Sequence, residues 1–334
     1  MSRSSSSSQS RATRNDVAKL AGVSPAVVSY VVNGTKRVGE DTEQRVRDAV
    51  AKLGYRANPS ARALRLGSTE MLGIVTPTTT NPYFAQLAHE VEAAAAKRGY
   101  MVITSSSDSS IATERVQLEQ LAGRLVDGIF LCSTVFEPDL RNLDIAGIPI
   151  VLLNNSAGVP TRDSVGVDLL HGAHLAVEHL AWHGYQDIGI VIGGTTGDEE
   201  DGRETGWRES LERLGLTPGP IARGWFTPDG GYEAMSRLIR SDAVPRALFV
   251  SSDQMGRGVL KAAHEAGLRV PEDVAIVSFD GSLDAAYSWP TLTTVAQPLA
   301  EMAEAAVEAL VGPPHERVHM VVEAHLVIGR SCGC

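Results

Sequence analysis

The stretch Ser24-Pro25-Ala26-Val27-Val28-Ser29-Tyr30-Val31-Val32-Asn33, "SPAVVSYVVN", follows Ala21-Gly22-Val23 and decides the reading of the first sixty residues. Ser24 is a strong helix N-cap, and Pro25 suits the first helical position, where a missing N–H is no loss. Val28, Val31 and Val32 recur at helical spacing and are expected to face inward. Ala26, Ser29, Tyr30 and Asn33 are left outside, a face of small side chains and one tyrosine. Upstream, Thr13-Arg14-Asn15-Asp16 is close to a capping box; Val17, Leu20 and Ala21 then share a face, and Gly22 stops that helix. Downstream, Asp41 to Leu53 carries the inner stripe Val46, Val50 and Leu53, with Gly54 as its stop. Two short helices joined by a tight glycine turn, with a third closing the core, make a helix-turn-helix unit. Small residues let a helix backbone approach the DNA major groove. Thr13, Ser24, Pro25, Ala26, Ser29, Tyr30 and Asn33 are the candidate DNA contacts: Ser24, Tyr30 and Asn33 can reach phosphates or base edges, and Ala26 a thymine methyl. An ordinary three-helix protein-binding domain has the same pattern, and the residues alone leave it open.

Charge favours the nucleic-acid reading. Up to Leu66 there are 12 Lys/Arg against five Asp/Glu, a charge of +7, which leaves −17 for the rest of a chain whose formal net charge is −10. A basic head on an acidic body meets a polyanion with its head only. Residues 1–11 are serine-rich, too polar to bury anything, and are expected to be a disordered tail. They lack the apolar core of a signal peptide, and no apolar run approaches membrane-span length, so a cytoplasmic protein with no membrane partner is expected.

Between head and body, Asn58-Pro59-Ser60 can start a two-turn helix that Gly67 stops. Leu64 lies there between Arg62 and Arg65, the composition of a minor-groove wedge: an apolar side chain between base steps, arginines on the phosphates. A plain linker with an incidental leucine is the alternative.

From Met71 short apolar runs alternate with amphipathic helices. Strands are expected at Leu72–Val75, Met101–Thr104, Gly128–Leu131, Ile148–Leu153, Ile188–Ile192, Ala247–Val250 and Val274–Phe279, with a late strand-like run at Met320–Ile328. Helices are expected at Tyr83–Arg98, Glu114–Leu125, Gly172–His183, Glu204–Leu214, Tyr232–Arg240 and Met255–Ala266. This βαβ order predicts doubly wound parallel sheets, which bind ligands at the carboxyl ends of their strands. Tyr83, Phe84, Asn154, Phe226 and Asp280 follow strand or apolar runs, and Arg203 sits near a helix start, where the helix dipole disfavours a cation and a ligand would explain it. Aromatic faces with Asp, Asn and Arg suit a polyhydroxylated ring. Tyr83 and Phe226 could equally be core, and Asn154 or Asp280 helix caps; Asp253 is expected to cap the helix after Ser252.

Other motifs carry less. Gly193-Gly194-Thr195-Thr196-Gly197 lacks both the Walker lysine and GxGxxG spacing. His89, His171, His174, His179 and His183 show no HExxH pattern and read as ordinary helix histidines, so no catalytic residues are expected. Cys132 lies in an apolar run; Cys332-Gly333-Cys334 could bind metal or oxidise, but no second ligand pair stands at zinc spacing, so no metal and no cofactor are expected.

The segments "TRNDVAKLAGVSPAVVSYVVNG" and "RVRDAVAKLGYRANPSARALR" resemble the lactose-repressor/galactose-repressor family of bacterial transcription regulators. The likeness continues through "NPYFAQLAHEVEAAA", "GIPIVLLNN", "HLAWHGYQDIGIVIGG", "RETGWRESL", "FVSSDQMGRGVLKAAHEAGLRVPEDVAIVSFDG" and "PTLTTVAQP", nearly everything from Thr13 to Arg330. The resemblance implies an α/β fold class: an N-terminal helix-turn-helix DNA-binding domain plus a two-lobed, periplasmic-binding-protein-like core. It places a tail at residues 1–11, the DNA-binding domain at 12–57, a hinge helix and linker at 58–70 and the core at 71–334. Lobe 1 would hold about 71–166 and 298–323, and lobe 2 about 167–297 and 324–334. It implies a repressor that binds a near-palindromic operator in double-stranded DNA as a homodimer and is switched, in either direction, by a small-molecule effector, a sugar or sugar-like ligand. Major-groove readout would fall to Pro25, Ala26 and Tyr30, and the hinge wedge to Leu64 with Arg65; Tyr83, Phe84, Asn154, Arg203, Phe226, Ser252 and Asp280 would line the effector pocket. A solute-binding protein of the same fold would need a secretion signal, and an enzyme would need a marked nucleophile or base.

Overall fold

The computed structural model describes residues 12–56, 63, 67–133, 145, 147–194 and 201–334. The expected tail at 1–11 and the expected hinge contacts Arg62, Leu64 and Arg65 lie outside them. The chain divides into two units, Met1–Thr69 and Glu70–Cys334.

Among the described residues the first unit holds a cluster of three helices: α1 (Arg14–Ala21), α2 (Pro25–Asn33) and α3 (Glu40–Leu53). Thr13 and Asp16 form the capping box, and Gly22 ends α1 in the left-handed region at φ 66°. The Ser24 hydroxyl accepts from Val27 N, with Pro25 as the first helical residue of α2. Val17, Ala18, Ala21, Val28, Val46 and Ala49 make the core, with Val27 and Val31 packed against it. Two expectations fail. Leu20 and Val32 were expected inside and are 45% and 37% exposed. The apolar stripes follow i, i+1, i+4 positions (Val17, Ala18, Ala21 and Val27, Val28, Val31), so residues one step to the side of each stripe turn outward.

The second unit holds two six-stranded sheets. The first runs β11-β5-β4-β3-β1-β2, using β1 (Met71–Thr76), β2 (Met101–Ser106), β3 (Gly128–Leu131), β4 (Ile150–Leu153), β5 (Asp163–Val167) and β11 (His319–Val322). All its pairings are parallel. The second runs β12-β10-β9-β8-β6-β7, using β6 (Ile188–Gly193), β7 (Pro218–Gly224), β8 (Ala247–Val250), β9 (Ala275–Asp280), β10 (Thr293–Ala296) and β12 (His325–Val327). Only its edge pair, β10 with β12, is antiparallel. Among the described residues the helices are α4 (Pro82–Lys97), α5 (Ile111–Gly123), α6 (Leu169–Trp182), α7 (Gly202–Leu214), α8 (Pro228–Arg240), α9 (Asp253–Glu265), α10 (Leu283–Ala286) and α11 (Leu299–Val311).

The central strands β3, β4, β6, β8 and β9 are buried along their whole length, as parallel strands covered on both faces must be. Where helices crowd one another, glycine is obligatory. A Cβ built on Gly258 of α9 would fall onto Pro228 O of α8, and one on Gly206 of α7 would stand 2.5 Å from Leu170 O of α6. The chain passes between the sheets three times: after β5, after β10 and after β11. Two of these passages meet where Asp168 N donates to Val322 O, and the passage after β10 is tied to the end of β9 by Gln297 N donating to Asp280 O. The expected single run Met320–Ile328 is therefore two strands, one on each sheet.

Candidate functional site

On the first unit, α2 presents Ser24, Pro25 and Ala26 to solvent, with Ser29, Tyr30 and Asn33 half-buried. Several polar groups there already have local partners. The Thr13 hydroxyl donates to Asp16 Oδ2 at 2.6 Å, and Asn33 Nδ2 donates to Ser29 O at 2.8 Å. The Lys36 ammonium stands 5.7 Å from the centre of the Tyr30 ring, a cation at the edge of the same face. No acidic residue lies in the first turn of α2, so its N-terminal N–H groups keep their attraction for anions.

In the second unit the candidate effector residues meet at the carboxyl ends of strands from both sheets. Tyr83, in the first turn of α4 after β1, is 3% exposed, and its hydroxyl lies 2.8 Å from Asn154 Oδ1 and 2.9 Å from Gln297 Oε1. Gln297 Nε2 donates to Asp280 Oδ1 at 3.1 Å. Gln297 keeps its NH2 group on Asp280, and the single phenolic proton of Tyr83 lies between the two amide oxygens of Asn154 and Gln297. Phe84 packs edge-on to Tyr83, with ring centres 5.0 Å apart. Asn154 and Asp280 close β4 and β9 at φ 62° and 113°, left-handed geometry that side chains rarely adopt and that clusters at binding sites.

A second cluster is built on Arg203. Its Nε and Nη2 donate to the two Asp201 carboxylate oxygens at 2.8 and 2.6 Å, and its Nη1 to Ser251 O at 2.7 Å. The guanidinium lies over the rings of Phe226 and Phe279, at 4.9 and 5.6 Å from their centres. Burial opposes its charge, but Asp201, then Asp280 and Tyr83, outweigh that and raise its pKa. Asp201, the N-cap of α7, is thus the local partner that reconciles an arginine with a helix start. Phe226, 36% exposed, lies across Gly193 at the end of β6. Burial, then the neighbouring Asp253, pushes the Asp280 carboxyl well above the usual range against the pull of Arg203. Burial and then Asp280 push the Tyr83 phenol up likewise.

Ser252 is placed differently. It is buried and caps α9, accepting from Met255 N at 3.2 Å. The expectation that Asp253 caps that helix is corrected accordingly: Asp253 is buried inside the first turn and accepts from Ser278 Oγ, Thr294 Oγ1 and Ser282 N. It anchors the loop that carries Asp280.

Sequence reading missed Gln297 and Asp201, and it took Asp253 as structural but in the wrong role, a helix cap instead of an acceptor for three groups. Gln297 follows a strand end like the others, but the threonines of β10 disguise the strand. Away from the cleft, His179, His183, Cys332 and Cys334 gather, so a second ligand pair does face Cys332-Gly333-Cys334. Among the described residues, no helix is long and apolar enough to cross a membrane.

Residues 13–58 match the bacterial regulatory proteins of the lacI family, and residues 177–332 match a periplasmic binding protein-like domain. The HTH-type transcriptional repressor PurR of Pasteurella multocida is 32% identical over 328 residues, covering 96% of this chain and 98% of that protein. The PurR repressor of Haemophilus influenzae strain PittEE is 34% identical over 90% of each chain. Among solved structures, the Lac repressor dimer bound to operator and the anti-inducer ONPF superposes with a TM-score of 0.86 at 26% identity, covering 96% of this chain and 99% of that one. The complex of the transcriptional regulator CelR with cellobiose gives 0.69 at 32% identity, covering 96% and 100%. The chain belongs to the lacI family of bacterial regulatory proteins.

Proposed function

We propose that this chain is a cytoplasmic transcriptional repressor that binds a near-palindromic operator as a homodimer, under the control of a small polyhydroxylated effector held between its two sheets. The observation that carries the reading is the pair of clusters in the cleft: Tyr83, Asn154, Gln297 and Asp280 in one hydrogen-bonded chain, and Arg203 held over Phe226 in the second. A sugar-like ring satisfies both halves, its C–H faces on the aromatic rings and its hydroxyls on the amide, carboxyl and guanidinium groups. Asp201 and Ser251 take three of the five N–H donors of Arg203, leaving a fork that is already oriented. Phe84 borders the cleft, and Ser252 acts through the position of α9.

In this reading residues 12–57 read the operator through Pro25, Ala26 and Tyr30, with Thr13, Ser24, Ser29 and Asn33 on phosphates or base edges. Residues 58–70 form the hinge, with Leu64 as a minor-groove wedge between Arg62 and Arg65. The effector bridges lobe 1 (about 71–166 and 298–323) and lobe 2 (about 167–297 and 324–334), and its differential affinity for two lobe arrangements sets DNA affinity. The experiment is operator selection from a random duplex library with the full chain, followed by a thermal-shift screen of sugars and nucleosides. The expected outcome is a near-palindromic consensus whose affinity falls steeply with salt, and one ligand class that raises the melting temperature and changes operator affinity. A flat salt profile, or a stabilising ligand without effect on operator affinity, refutes the proposal.

A further inference from the structure

The segment after β12 returns to the end of α6 and brings four soft donors together. His179 lies in the last turn of α6, and His183 is its C-cap, one turn on. Cys332 and Cys334 face them. His179 Nε2 is 3.2 Å from Cys332 Sγ and 3.6 Å from Cys334 Sγ; His183 Nε2 is 3.2 Å from Cys334 Sγ. All four donor atoms lie within 4.8 Å of one another. Zinc bonds of about 2.3 Å to sulfur and about 2.0–2.1 Å to nitrogen give tetrahedral edges of roughly 3.3–3.8 Å between donors. The cluster therefore needs only small shifts to close on an ion.

The surroundings hold that geometry. Gly333, at φ 103°, is the residue that lets the chain turn so that both flanking thiols point one way. The Thr293 hydroxyl, itself accepting from Gly329 N at 2.9 Å, donates to Cys332 Sγ at 2.9 Å, an outer contact of the sort that orients a metal ligand. The Trp182 ring stacks on His179 and stands edge-on to His183, walling one side. Cys332 is fully buried and Cys334 exposed, so the cluster has both an anchored ligand and an entry path. Two imidazoles with two sulfurs suit zinc and its near relatives and are poor partners for magnesium or calcium.

We propose that His179, His183, Cys332 and Cys334 form a tetrahedral site for a zinc-class divalent ion, which staples the segment after β12 to the end of α6. The site is separate from the effector cleft and independent of the reading given for it. A disulfide between Cys332 and Cys334 is the competing fate of the same thiols.

The test is titration of the full chain, stripped of metal under reducing conditions, with Co2+ as a spectroscopic stand-in for zinc. One Co2+ per chain should produce a thiolate-to-cobalt charge-transfer band and the intense visible bands of four-coordinate cobalt, and Zn2+ should displace it. Zn2+ should also shield Cys334 from alkylation. The double variant Cys334→Ser/His183→Gln should keep its circular dichroism spectrum and bind Co2+ at least about 100-fold more weakly. Weak octahedral bands alone, the same bands in the folded double variant, or unshielded alkylation of Cys334 in the presence of Zn2+ would each overturn the assignment.

Discussion

Replacing Arg203 by alanine tests the electrostatics of the cleft directly. Arg203 and Asp201 are joined at 2.6 Å with side chains only 12% and 24% exposed. Removing one partner of such a pair strands the other, a loss of about 3–5 kcal/mol. Arg223 also attracts Asp201, which puts the expected loss near the lower figure, about 3 kcal/mol. For a core of this size that is a fall in Tm of roughly 6–12 °C. The deficit should depend on pH. Burial pushes the Asp201 carboxyl up, and Arg203 more than cancels it, holding its pKa below the usual value in the native protein. The wild-type pair therefore adds stability above the unfolded pKa of about 3.9, stability that is lost as pH falls through the lower folded value. In Arg203→Ala burial acts with less opposition and the folded pKa rises, so the variant loses further stability as pH climbs. The gap between the two proteins should widen from pH 4.5 to pH 7.5. Adding Asp201→Ser removes the stranded charge while keeping a hydroxyl to cap α7, and should recover part of the loss. Urea denaturation of the three proteins at both pH values is the assay. A single variant within about 1 kcal/mol of wild type, a gap that does not move with pH, or a double variant no better than the single one refutes the reasoning.

Two further outcomes concern the scaffold. Burial raises the Asp253 carboxyl to about 6 against three hydrogen bonds to its oxygens, so its contribution is intact below pH 4 and lost as pH rises through 6. Relative to Asp253→Asn, wild type should lose up to about 3 kcal/mol across that window in urea denaturation, and a difference that stays constant with pH contradicts this. Gly258→Ala should destabilise the core by about 1–3 kcal/mol or more, because its methyl must displace the Pro228 carbonyl; an unchanged melting temperature would show that α8 and α9 do not pack backbone to backbone.

Much of this architecture was readable in advance because its signals are local. The caps Thr13 and Ser24, the stops Gly22 and Gly54 and the apolar runs of the central strands all report on neighbours within a few residues. The parts that escaped depend on distant partners. Pro218–Gly224 is a half-exposed edge strand with two prolines and two glycines, so it lacks the apolar run that marks a buried strand. β10 reads Thr-Thr-Val-Ala, yet its threonines are buried because Asp253, Gly281, Cys332 and Gly329 bond to their hydroxyls. For the cleft, rules about strand ends located Asn154, Asp280 and Tyr83, but no rule on one stretch of chain could pair Arg203 with Asp201 in space or bring Gln297 from beyond β10 to Tyr83. The same holds for His179 and Cys332, which lie more than 150 residues apart.

The last crossing between sheets has a consequence for biosynthesis. β11 and β12 occupy residues 319–327, and each supplies the outer strand of a different sheet. A ribosome releases the chain from its amino end, so the first sheet stays one strand short until nearly all of the second has emerged. Neither half can finish early and wait for the other. A nascent chain arrested near residue 315 would display two raw sheet borders at once, which makes that short stretch the point where chaperone dependence and clearance of truncated products should concentrate.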